Sequence, residues 1–198
     1  MERVTRRGVE DVSWRWQGGD DPLCQRRRVL VAGIGNGSLG DEAFGIEVVE
    51  RLRGHSLPDG TELCDFEGQG INLAYALVGG YDAAILVDVV SRGGQPGSLY
   101  VFEPNPAAGD TVPLEYHKMT PLVVIGLARL LGSLPSQLLI VACEPTGSSL
   151  EAMSNEMTPD VAAAVEPAVK VVAELACRLS CGTAPAHQWH VWKPARWR

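Results

Sequence analysis

Three side chains in this sequence stand where chemistry needs them: Glu42 behind a glycine-rich turn, Asp88 at the end of an apolar run, and His117 before a proline-led helix. Two carboxylates and an imidazole suit a divalent metal such as nickel or zinc, with coordination positions left open. Each residue alone also has an ordinary reading. Asp41 and Glu42 would cap a helix, Asp88 would cap the turn Ser91-Arg-Gly-Gly94, and a lone loop histidine is usually solvated. The metal reading requires that all three converge above one sheet edge.

The stretch Gly33-Ile-Gly-Asn-Gly-Ser-Leu-Gly-Asp-Glu-Ala-Phe-Gly45 admits a competitor, because Gly35-x-Gly37-x-x-Gly40 fits a dinucleotide phosphate fingerprint after a strand. Asp41 and Glu42 speak against it, since two carboxylates stand where a pyrophosphate would approach the helix N-terminus. Asp65, the next candidate for a ribose-binding acid, lies too far on. No Gly-x-Ser-x-Gly elbow, no His-Glu-x-x-His and no cysteine–histidine pattern offers another nucleophile.

The elements that must position these residues follow from periodicity. Arg28–Ala32 is an apolar, β-branched run stopped by glycines, which predicts a central parallel strand covered on both faces. Phe44, Val48, Val49 and Leu52 recur at helical spacing, predicting a first helix over Asp41–Arg53. Strands follow at Thr61–Phe66, Ala83–Val89, Ser98–Phe102 and Leu138–Ala142, with helices at Ile71–Val78 and Leu122–Leu131. Thr158 as N-cap and Pro159 at the first helical position open a closing helix to Leu179. This order predicts an α/β domain, a three-layer arrangement with a mainly parallel, twisted sheet between helices, its site beyond the carboxyl ends of the first and third strands.

The 198 residues are 45% hydrophobic and 21% charged, the make-up of one globular domain. A formal charge of −7 disfavours nucleic acid and anionic membranes as partners. Five cysteines at irregular spacing argue against a disulfide framework and for a reducing cytoplasm, with Cys64 and Cys143 as small core residues. No apolar h-region opens the chain and no run is long enough for a membrane span. Residues 1–27 read as an aperiodic N-terminal extension. Residues 180–198, with Trp189, Trp192 and Trp197, read as a tail beyond the domain at 28–179.

At Gly33-Ile-Gly-Asn36 and Gly40-Asp-Glu-Ala-Phe-Gly45 the sequence resembles the opening GxGN and DDGxG or DEGFG signature of the hydrogenase maturation proteases. Val87-Asp-Val-Val-Ser-Arg-Gly-Gly94 is similar to that family's aspartate-bearing strand end, and His117 to its histidine. Ala142-Cys-Glu-Pro145 and Met157-Thr-Pro-Asp-Val161 resemble its last core strand and the start of its final helix. The resemblance implies an endopeptidase that removes the C-terminal extension of a nickel-iron hydrogenase large-subunit precursor. It assigns Glu42, Asp88 and His117 as catalytic metal ligands and nickel, supplied by the client, as the ion. One departure stands out: Asp65-Phe-Glu-Gly-Gln-Gly70 replaces the family's Asp-Gly-Gly-Thr turn, which points to unusual client selectivity. The alternatives are a non-catalytic nickel-sensing module or chaperone for the same client and, less well supported, a dinucleotide-binding Rossmann-like protein.

Overall fold

The computed structural model describes residues 27–104, 120–147 and 156–182. Five strands form one sheet: β1 (Val29–Gly35), β2 (Thr61–Glu67), β3 (Ala83–Val89), β4 (Leu99–Phe102) and β5 (Gln137–Cys143). Four helices accompany them: α1 (Phe44–Leu52), α2 (Gly70–Leu77), α3 (Pro121–Leu131) and α4 (Pro159–Ser180). The strand order is β2-β1-β3-β5-β4. All neighbours run parallel except β4, which pairs antiparallel with β5 at the edge.

The alternation within β1 explains the three layers. Val29 and Val31 face a core shared with Phe44, Val48, Val165 and Val172 of α1 and α4. Leu30, Ala32 and Ile34 face a second core with Leu73, Leu77 and Val124 of α2 and α3. A strand with both faces buried must be apolar throughout, and β1 and β3 are buried along all but their last residue.

Two expected boundaries shift. The first strand runs past Ala32 to Gly35, because its glycines continue the register with Asp65 and Glu67 of β2. The first helix does not begin at Asp41 but is entered through a 3-10 turn over Gly40–Ala43. The chain has to fold back tightly there. Gly35 takes φ +136°, and the backbone N–H of Asn36 donates to the Glu42 carbonyl at 3.2 Å. A Cβ on Gly35 would stand 1.9 Å from that oxygen.

Gly45 sets the depth at which α1 lies on the sheet. A Cβ there would meet the carbonyl oxygens of Ile34 and Val87 at 2.3 Å each. Only glycine admits this contact with β1 and β3 together, and the contact carries the turn bearing Glu42 over the end of β3.

Most of the extension over 1–27 and the tail over 180–198 lies outside the described residues. Where the two ends are described they meet, the Arg27 N–H pointing at the Ser180 carbonyl at 3.4 Å. Cys143 is fully buried and Cys64 half-buried, both in core positions as expected. Burial pushes the Cys143 thiol far above its ordinary range, which leaves it without thiolate character.

Candidate active site

Asp88 is the last residue but one of β3, at the carboxyl edge of the sheet, where β3 lies between β1 and β5. Its side chain is 7% exposed, and one carboxylate oxygen accepts the N–H of Val89 at 2.7 Å. Burial raises its pKa to about 7, against the pull of that hydrogen bond, and the nearby charge of Glu42 adds to the rise. A buried acid whose ionisation a second carboxylate makes costlier, with no basic side chain paired to it among the described residues, favours a cation nearby.

Glu42 and Asp88 line one cleft of about 650 Å³. Its walls are mostly apolar: Ile34, Leu39, Phe66, Leu73, Phe102 and Ile140 contribute, joined by the backbone of Gly68 and Gly70. Thr120 and Pro121, the start of α3, close another side. His117 lies outside the described residues, so the structure brings together the two carboxylates of the expected triad.

Asp41 does other work than expected. The sequence assigns it to capping its own helix, whereas it makes no cap there and is buried at 1% exposure. Its carboxylate accepts the Thr146 N–H at 2.9 Å, the Thr158 N–H at 2.7 Å and the Thr158 hydroxyl at 2.9 Å. It therefore latches the end of β5 to the start of α4. Thr158 occupies the N-cap of α4 with extended backbone, as predicted, yet its hydroxyl turns to Asp41 instead of to its own helix.

Two further carboxylates shape the rim and were not singled out by their chemistry. Glu67 accepts the Gly37 N–H at 2.9 Å, and the Gly68 N–H donates to the Gly35 carbonyl at 3.1 Å. The glycine turn that resembled a phosphate cradle is thus engaged by the protein's own acid. Glu144, 4% exposed, accepts the N–H groups of Arg92 at 3.0 Å and Gly93 at 3.1 Å and the Tyr100 hydroxyl at 2.8 Å. It fixes the loop that follows Asp88. The signal for it was in the sequence: a carboxylate directly after a buried strand, much as Asp88 stands near the end of the neighbouring one.

Fold and site together define an α/β protein with a paired-acid cleft at the carboxyl edge of a mainly parallel sheet. The hydrogenase maturation protease model matches residues 46–175. The chain is 34% identical to the hydrogenase expression/formation protein HupD of Rhodobacter capsulatus, over 75% of this chain and 70% of that one. It is also 34% identical to the hydrogenase 2 maturation protease of Escherichia coli, over 73% of this chain and 88% of the relative. The solved structure of the hydrogenase maturating endopeptidase HybD from E. coli superposes with a TM-score of 0.61 at 30% identity, covering 75% of this chain and 91% of that one. The chain belongs to the hydrogenase maturation protease family, whose members are endopeptidases.

Proposed function

We propose that this endopeptidase removes the C-terminal extension of a nickel-iron hydrogenase large-subunit precursor and recognises nickel held by that client through Glu42, Asp88 and His117. The observation that supports it is the pairing of Glu42 with the buried Asp88 in one cleft, without a basic partner for Asp88 among the described residues. A buried acid beside a second carboxylate is costly to ionise unless a cation joins it. Hard carboxylate oxygens fit a divalent ion, and His117 would supply the nitrogen donor.

When bound, nickel supplies Lewis-acid polarisation beside the bond to be cut. The chain's own residues do the rest. Glu42 and Asp88 fix the position of the client's site, and Val89, by donating to Asp88, holds that carboxylate in one orientation. The apolar walls accept the side chains of an extended segment and shed its water.

The test is to incubate the protein with precursor prepared with and without nickel and to follow the size of the product. Shortening of the nickel-loaded form alone is expected. Equal cleavage of both forms removes nickel from recognition, and cleavage of neither removes the client.

A further inference from the structure

Beside the cleft stands a cation that the proposed chemistry does not use. Arg92 follows Ser91, which lines the cleft, and its guanidinium carbon lies 4.7 Å from the centroid of Phe102, a cleft residue, and 5.6 Å from that of Tyr100. Stacking on two rings restricts a long side chain that would otherwise sample many rotamers. The backbone beneath it is fixed as well, because Glu144 takes the Arg92 and Gly93 N–H groups. The carboxylate doing so is spent on those groups and on Tyr100. No acid forms an ion pair with the Arg92 side chain among the described residues, whereas Arg28 and Arg178 are each paired with an acid and Arg51 and Arg53 with two.

Arg92 is thus a preorganised guanidinium without an acid, beside a cleft that Glu42 and Asp88 line. With nickel on Glu42 and Asp88, as the proposed function has it, Arg92 is the side chain beside the cleft that attracts an anionic group on the occupant. We infer that Arg92 is a specificity-determining residue that binds the carboxylate of an Asp or Glu side chain near the bond cut in the client, and so sets which way the client segment lies. An endopeptidase cuts within a chain, which makes a side-chain carboxylate the anion at hand. This inference rests on the proposed function.

The experiment uses the full-length protein and its nickel-loaded precursor, with KM and kcat measured separately. Arg92→Gln should raise KM about tenfold, the order of one charge-assisted hydrogen bond, and leave kcat nearly unchanged. Arg92→Lys should recover part of the loss. A precursor whose acidic residues flanking the cut bond are changed to Asn and Gln should show the same rise with the wild-type enzyme and no further rise with Arg92→Gln. Additive losses, an unchanged KM for Arg92→Gln, or a dependence on amidation of the chain terminus instead would each overturn the inference. A wild-type enzyme that leaves the loaded precursor whole overturns the reading beneath it, and that outcome is distinct from cleavage with additive losses.

Discussion

The carboxylate of Asp88 is a liability to the isolated protein, and the size of that liability is measurable. Its pKa is about 7 in the folded chain against 3.8 as the ordinary value. Below the ordinary value the group is protonated folded or unfolded and costs nothing. As pH rises toward 7 the unfolded chain releases a proton that the folded chain keeps, so stability falls, and above about 7 the full cost is present. Asp88→Asn removes it. Melting the metal-free protein at pH 8 should give a higher Tm for the variant, reflecting a stability gain on the order of a few kcal/mol that shrinks toward pH 4. An equal Tm across that range would mean that Asp88 is not buried as described. The same variant should lose processing, since an amide is a poor ligand for a divalent cation. Asp41 behaves oppositely. Asp41→Ala leaves the N–H groups of Thr146 and Thr158 without their acceptor, a loss of roughly 2–5 kcal/mol, beyond the ~1 kcal/mol of an ordinary helix cap. A urea melt with an unchanged midpoint would refute the latch.

At the level of elements, the strands and helices were legible because burial on both faces forces apolar runs and helix packing forces a 3.6-residue period. Val29–Gly35 and Phe44–Leu52 could be read as strand and helix, although the strand runs three residues past the expected Ala32 and the helix starts three residues after the expected Asp41. What the residues could not disclose were contacts whose partners are far apart in the chain. Asp41 and Thr158 look like two local caps, and their shared hydrogen bond spans 117 positions. Glu67 looked like a departure in a turn, and only the juxtaposition of two βα loops shows it holding Gly37. Asp88 and Glu42 were legible as candidates because each ends or follows a strand, but their common cleft depends on Gly45, whose missing Cβ lets α1 settle. Gly45→Ala should therefore cost about 1–3 kcal/mol by forcing α1 away from the Ile34 and Val87 carbonyls. It should also cut processing more than the stability loss explains, since Glu42 rides on the same turn. Full activity in a folded Gly45→Ala protein would show that the seating of α1 does not govern the site.

On the scale of the whole molecule, the proposed ligand set would determine where the metal resides. The chain carries a net charge of −7, and its cleft adds two adjoining acids, so it attracts cations generally. Attraction is not retention. Under the proposed function, Glu42, Asp88 and His117 would offer three donors, fewer than a closed structural site, and Asp88 would have to give up its proton before ligating, which would weaken binding further near neutral pH. A client that holds nickel with its own donors completes the coordination only when the two proteins meet. The protein alone should then bind nickel weakly, while nickel should tighten its association with the precursor by about tenfold or more. Equilibrium dialysis of nickel against the protein alone, and precursor binding measured with and without nickel on a cleavage-blocked client, provide the two numbers. Linkage fixes a third: the factor by which nickel tightens the protein–client contact must equal the factor by which the complex holds nickel more tightly than the client alone. Tight nickel binding by the protein alone, with no gain on adding client, would place the ion permanently in this chain and remove its role as the signal that the client is loaded.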